Sequence, residues 1–421
     1  MQTIKTNTNP IIYSVEKEKK IYLNIIFITP SKLKNENYYN DILLTRLLTN
    51  YSNRYRTIES NRKAQDNYYI LNFYNNITDF MNYKLYTFGL IIPKEGLIDE
   101  FNLEEAIKFF YDSLFDPYIE KDHFNSDIFN YEKKFLLNNL KEEYLNINEE
   151  NYEEFNKFID SKEEYYLNKK YKKELLDKID EYTLYDYYLK TIKNNTYYTN
   201  IFGKIEKDRI LKIYNKYFKQ DYKESIIRIN RFHLYPYKNY EYKVIPSKYK
   251  QSVLNQCYSI KNVKTKDNVK LIMLYYFLAS KENNLIFNVL RNKHSLVYET
   301  RVNISSCYGY LYLNIFLDKK DLNRIKDLIK DTIYSIKNKK TFNKCKENLL
   351  ISIKYDMLDA MDDYTYEVRT KLDRKYKTSN SLKSTYNKMK KIKYEDMLEF
   401  LNRLFISREM LLEGDINDKN N

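Results

Sequence analysis

The chain has 421 residues, 43% hydrophobic, 31% charged and 16% aromatic, with a formal net charge of +14. That length favours two or three domains. The 47 Tyr and 22 Phe exclude wholesale disorder, and only five Gly and six Pro exclude collagen-like and linker-like chains.

The surplus of Lys, Asn, Ile, Tyr and Phe has the pattern of an AT-rich genome, so the positive charge does not by itself mark a binding patch. Cys257, Cys307 and Cys345 lie far apart with no pairing pattern, which fits a reducing compartment. The start, Met1 to Ile12, is polar, without an apolar stretch of signal-peptide length. The most apolar run, Leu271 to Ala279, is shorter than the ~20 residues a bilayer needs. The expectation is a cytoplasmic protein with no membrane partner.

In chain order, the sequence predicts a strand over Ile21–Thr29, a helix over Asn40–Asn50, and paired strands over Tyr68–Tyr74 and Tyr83–Ile92, the last rich in β-branched and aromatic residues. Helices follow from Leu103 to Lys190, the first with Leu103, Ile107, Phe110, Tyr111 and Leu114 on one face, and a strand ends near Phe202. The order then repeats. A strand over Ser252–Ile260 precedes a helix over Val269–Leu290 and strands over Val297–Ser305 and Tyr308–Leu317. Helices run on to about Leu404, with Leu322, Ile325, Leu328, Ile329 and Ile333 on one face of the first, and a strand covers Glu409–Glu413.

Residues match as well as element types. Shifted by 213 positions, Asn130 falls on Asn343, Lys133 on Lys346, Leu136 on Leu349, Leu137 on Leu350, Leu140 on Ile353 and Lys141 on Lys354. Glu143 falls on Asp356, Leu145 on Leu358, Glu149 and Glu150 on Asp362 and Asp363, and Glu154 on Glu367. Gly89 answers Gly309, and Gly203 answers Gly414, at offsets within 211–220. This is a tandem duplication. The predicted class is α+β, with two tandem homologous α/β sandwich domains, each a mostly antiparallel sheet with helices on one face. The domains are expected at 1–230 and 251–421, with a joint at 231–250 that contains Pro236 and Pro246.

Little in the chain carries chemistry. The only histidines, His123, His233 and His294, have no His or Cys three to five positions away, and no Cys-x-x-Cys occurs. There is no phosphate-binding glycine loop and no Gly-x-Ser-x-Gly elbow. Glu149, Glu150, Glu153 and Glu154 read as a solvated helix face. The basic runs Lys169–Lys173 and Lys388–Lys393 could contact phosphates, but acidic runs interleave with them, so nucleic-acid binding is a minor alternative.

The segment Phe287-Asn-Val-Leu-Arg-Asn-Lys-His-Ser-Leu-Val-Tyr-Glu299 ends a helix, turns on basic residues and opens an apolar strand. It resembles the Leu-Arg-x-Lys-x-x-Leu-x-Tyr motif in the second domain of the insulinase-like zinc peptidases, the family of pitrilysin and the mitochondrial processing peptidase. The tandem repeat and element order extend that resemblance over the whole chain. In that family the Arg and Tyr reach the active site, which implies substrate-binding roles for Arg291 and Tyr298. The family's zinc motif, His-x-x-Glu-His on the first helix plus a Glu on a later one, aligns here with Ile42, Thr45, Arg46 and Asn139. Ile cannot ligate zinc, Arg would repel it, and Thr is a poor base.

The resemblance therefore implies a non-catalytic subunit, similar to the bacterial YfmF-type proteins, that forms one clam half of a metalloprotease-like dimer. It would hold no cofactor itself. The zinc would sit in a homologous partner subunit, and peptides would bind in a closed chamber by adding a strand to a sheet edge. The alternative is an assembly factor with the same fold that binds peptides or proteins without chemistry.

Overall fold

Alternation along the strand Lys20–Pro30 buries Ile21, Leu23, Ile25 and Phe27 on one side, as a strand with one face on a core requires. It is the third strand of the chain in the computed structural model, which describes residues 2–14, 18–30, 36–80, 83–142, 146–159, 169–220, 224–229, 239–264, 266–280, 283–305, 309–361 and 382–414. Of the residues named above, Met1, Glu143, Leu145, His233, Pro236, Cys307, Tyr308, Asp362, Asp363 and Glu367 lie outside these.

The chain forms two compact units, Met1–Glu143 with Glu163–Asn230, and Tyr144–Lys162 with Arg231–Asn421. The first holds β1 (Gln2–Asn7), β2 (Ile11–Ser14), β3 (Lys20–Pro30), α1 (Tyr38–Asn50), α2 (Ile58–Asn67), β4 (Asn72–Phe80), β5 (Tyr83–Pro93) and α3 (Leu103–Phe115). After the short pair β6 (Ile119–Glu120) and β7 (His123–Phe124) come α4 (Ser126–Glu142), then α6 (Lys169–Asp177), α7 (Glu181–Tyr188), β8 (Tyr197–Gly203), α8 (Lys207–Tyr217) and β9 (Glu224–Ile229). The intervening helix α5 (Ile147–Ile159) belongs to the second unit, with β10 (Glu241–Ser247), β11 (Ser252–Ile260), α9 (Asp267–Ala279) and α10 (Leu285–Phe287). That unit continues through β12 (Val297–Ser305), β13 (Tyr310–Leu317), α11 (Leu322–Ser335), α12 (Lys339–Met361), α13 (Leu382–Lys391), α14 (Tyr394–Arg403) and β14 (Leu404–Gly414).

Each unit has one five-stranded sheet, and the two sheets have the same order. They run β2-β8-β3-β5-β4 and β10-β14-β11-β13-β12. In both, the first two strands are parallel and every other neighbouring pair is antiparallel. A mostly antiparallel sheet with helices against its core face is the α+β class expected from the sequence. One core joins β3, β5 and β8 to α1 and α3; the other joins β11, β13 and β12 to α9, α11 and α12.

The duplication is visible atom by atom. Lys133 donates to the carbonyls of Asp177 and Ile179 at 3.2 and 2.6 Å; Lys346, 213 positions on, donates to those of Lys390 and Ile392 at 2.9 and 2.5 Å. Each lysine thus satisfies carbonyls at the C-terminal end of the helix it faces. Gly203 and Gly414 also occupy one role. A Cβ on either would lie 2.3 Å from a backbone carbonyl oxygen, that of Lys20 or of Lys250, and Gly203 has φ +143° besides.

Several elements differ from the expectations. Gly89 and Gly309 are not equivalent, because Gly89 lies within β5 opposite Asn24 while Gly309 sits in the turn before β13 with φ +74°. The strand expected at Tyr68 starts at Asn72, since a helix, α2, runs to Asn67 from a capping box between Thr57 and Ser60. The helix expected over Val269–Leu290 breaks after Ala279, where Ser280 is extended and Asn284 turns left-handed at φ 32°. The stretch expected as a joint contains β10, which pairs in parallel with β14. Finally, α5 places Phe155 and Ile159 against Val253, Cys257, Phe316, Met410 and Leu412, the sheet face turned away from α9 and α11.

Candidate functional site

Helix α1 carries the positions where the resemblance puts a zinc motif. Its buried stripe is Leu43, Leu44, Leu47 and Leu48, and it leaves Ile42 and Arg46, four residues apart, on one half-buried face. Ile42 packs on the first core. Thr45 is buried, and its hydroxyl donates back to the carbonyls of Asp41 and Ile42 at 3.0 and 3.1 Å, so it faces its own helix.

Arg46 has a partner on a distant helix. Its Nε donates to Glu132 Oε2 at 2.5 Å, and the Glu132 side chain is fully buried on α4. The Tyr51 hydroxyl donates to Glu132 Oε1 at 3.0 Å. Burial, and then the Glu132 carboxylate, push the Tyr51 phenol well above its usual range, so it stays a donor. The Phe135 ring lies 4.2 Å from the Arg46 guanidinium carbon. Asn139, a further turn along α4, is exposed. The corner thus holds a buried carboxylate neutralised by a guanidinium, and among the described residues no group of three His, Cys, Asp or Glu could hold a metal ion. Sequence reasoning missed this pair because Arg46 and Glu132 are 86 positions apart.

Arg291 and Tyr298 lie in the second unit. A π-helical turn, Asn288–Lys293, follows α10 and carries Arg291 at its exposed end. Arg291 Nη1 donates to the Val297 carbonyl at 2.9 Å, which tethers the turn to the start of β12. Tyr298 is 57% exposed, and its hydroxyl lies 3.3 Å from both carboxylate oxygens of Asp318. Among the described residues, strand β12 is an outer strand of its sheet, paired with β13 alone. The two side chains therefore stand exposed at the opening of an edge strand.

Residues 178–349 match the family described as the peptidase M16 inactive domain. M16 is the insulinase-like family, and solved M16 structures extend the likeness in fold over the whole chain. A peptidase M16 inactive domain from Pseudomonas fluorescens superposes with a TM-score of 0.70 at 10% identity, covering all of both chains. A conserved protein from Enterococcus faecalis V583 superposes with a TM-score of 0.78 at 17% identity, covering 99% of this chain and 100% of that one. The periplasmic protease PqqL from Escherichia coli matches 96% of this chain with 44% of its own, at a TM-score of 0.61 and 10% identity. No curated protein matches the sequence. No helix among the described residues is long and apolar enough to cross a membrane. The chain carries the M16 fold.

Proposed function

We propose that this chain is the non-catalytic subunit of a two-chain zinc peptidase, one half of a chamber closed by a homologous partner that carries the zinc. The observation that carries this reading is the Arg46–Glu132 pair, which puts a fixed cation and its counter-charge at the motif helix in place of metal ligands. Arg291 and Tyr298 then act on substrate held by the partner's zinc. Both are hydrogen-bond donors on an exposed edge, suited to a scissile carbonyl or to the backbone oxygens of a peptide added beside β12. The likeness to one part of the longer PqqL chain supports a half that works with a second, similar half.

The experiment mixes the purified chain with a zinc-bearing homologue from the same cell and follows peptide cleavage and metal content. The expected result is cleavage by the mixture only, with zinc brought by the partner. Arg291→Ala and Tyr298→Phe should each lower kcat/KM by about tenfold or more, as loss of an aimed donor does. Cleavage unaffected by either substitution would refute the roles of Arg291 and Tyr298. A stable complex without cleavage would leave an assembly factor that binds peptides or proteins.

A further inference from the structure

The internal repeat allows one unit to be compared with the other, and one corner differs. In the second unit, α9 and α14 meet through a closed set of charges. Asp267 accepts from Arg403 Nη2 at 2.7 Å, Lys270 Nζ reaches Glu399 at 3.2 Å and Asp267 at 3.5 Å, and Arg403 Nη2 lies 3.3 Å from Glu399. Asp267 and Lys270 are buried there.

The equivalent corner of the first unit lies between α1 and α7. Their apolar stripes fix the match. Ile42-Leu43-Leu44 and Leu47-Leu48 answer Ile272-Met273-Leu274 and Phe277-Leu278, while Leu184 and Tyr188 answer Met397 and Leu401, 213 positions on. Asn37 and Asn40 thus replace Asp267 and Lys270, Asp186 and Lys190 replace Glu399 and Arg403, and Tyr187 replaces the fully buried Phe400. The two asparagines make only a 3.3 Å bond with each other. Among the described residues neither Asp186 nor Lys190 is in an ion pair.

The corner is a 350 Å³ pocket instead, at the lower end of the range for ligand sites. Glu36 and Asp186 bring negative charge to its lining, and Lys178 and Lys190 bring positive charge. Leu175 and Ile179 add apolar surface to the lining. The Tyr187 ring is fixed from behind, because its hydroxyl donates to Asp41 Oδ1 at 2.5 Å and lies 2.7 Å from the Tyr86 hydroxyl. Asp41 is itself buried and held by Lys84 and Tyr86. A braced wall beside unpaired charges of both signs is organised for a molecule that supplies the missing counter-charges.

We propose that the pocket between α1, α6 and α7 binds a small zwitterion of dipeptide size, its ammonium end toward Glu36 or Asp186, its carboxylate end toward Lys178 or Lys190, and an apolar middle against Leu175 and Ile179. This site needs no partner chain and stands apart from the proposed peptidase role.

The test is calorimetric titration of the full chain with leucyl-leucine and leucine, and with leucyl-leucine acetylated at the amine, amidated at the carboxyl, or both. Zwitterionic leucyl-leucine binds, and each cap weakens binding about tenfold, the effect of losing one charged contact worth ~1.4 kcal/mol. Leucine, with its two charges closer together and one apolar side chain fewer, binds more weakly. Lys190→Glu and Asp186→Lys, both at exposed positions, weaken it by a similar factor. The pair Asn37→Asp with Asn40→Lys, which rebuilds the second unit's network, abolishes binding and raises Tm. The proposal is overturned if leucyl-leucine does not bind at millimolar concentration, or binds equally well when doubly capped or to the Lys190→Glu variant.

Discussion

Arg46 shows how one side chain sets the chemistry of a corner. A guanidinium carries its charge at every physiological pH and projects it on a planar fork, so it can neutralise a buried carboxylate without an ion from solution. Glu132 has no exposure of its own, while the Arg46 side chain is 30% exposed, which discounts the pair relative to a fully buried one. Arg46→Met keeps most of the packing on Phe135 but strands Glu132, and should cost about 2–4 kcal/mol of stability, seen as a lowered denaturation midpoint. Adding Glu132→Gln should recover much of that loss, and failure to do so would mean that packing, not charge, sets the effect. The sequence showed that the zinc motif is missing. It could not show what replaced it, because the pairing of Arg46 with Glu132 is a product of how α1 and α4 pack.

Asp267 gives a second prediction at the same scale. Burial raises its carboxyl, but the Arg403 guanidinium, the Lys264 backbone N–H and Lys270 outweigh that and hold it below the usual carboxylate range. A group lowered in the folded state contributes stability that is fully present above its ordinary value of about 3.9 and is lost as pH falls through the folded value. Asp267→Asn should therefore lower Tm at neutral pH and flatten the fall of Tm below about pH 4. Equal slopes in the two proteins would refute this.

Elements were legible where period and burial agree. Strands β11 and β12 run over the residues expected; every residue of Ser252–Ile260 is buried, and apolar residues dominate it. Residue matching at a shift of 213 pairs Lys133 with Lys346, and the structure gives both the same kind of carbonyl partners. Strands β2 and β10 were not legible, since Ile11–Ser14 is only four residues long and Glu241–Ser247 alternates without a buried face. Lys133→Met and Lys346→Met should each cost about 1–2 kcal/mol, the value of a hydrogen bond from a charged donor, and should do so additively because they belong to separate units. Denaturant midpoints of the single and double variants check this, and an effect confined to one lysine would argue against equivalent roles.

At the scale of the whole molecule, chain order and spatial order part company at α5. The helix follows α4 in sequence, yet Phe155 and Ile159 lie on the sheet of the second unit, and Asn151 and Asn255 share bonds of 3.0 and 2.7 Å there. No local pattern announces this, because an amphipathic helix reads the same whichever sheet it covers. Phe155→Ala should cost about 3 kcal/mol or more, as large-to-small changes at a 3% exposed site do. Hydrogen exchange should then rise in β11 and β14 but not in β3 and β8. A rise shared by both sheets would show that the units do not respond separately.

The same threading sets a schedule for synthesis. Residues 147–159 leave the ribosome long before β14 at 404–414 can complete the surface they cover. At roughly 5–20 residues per second, the nascent helix carries an uncovered apolar stripe for on the order of ten to fifty seconds. For that interval Phe155 and Ile159 are open to chaperones and to neighbouring chains on the same message.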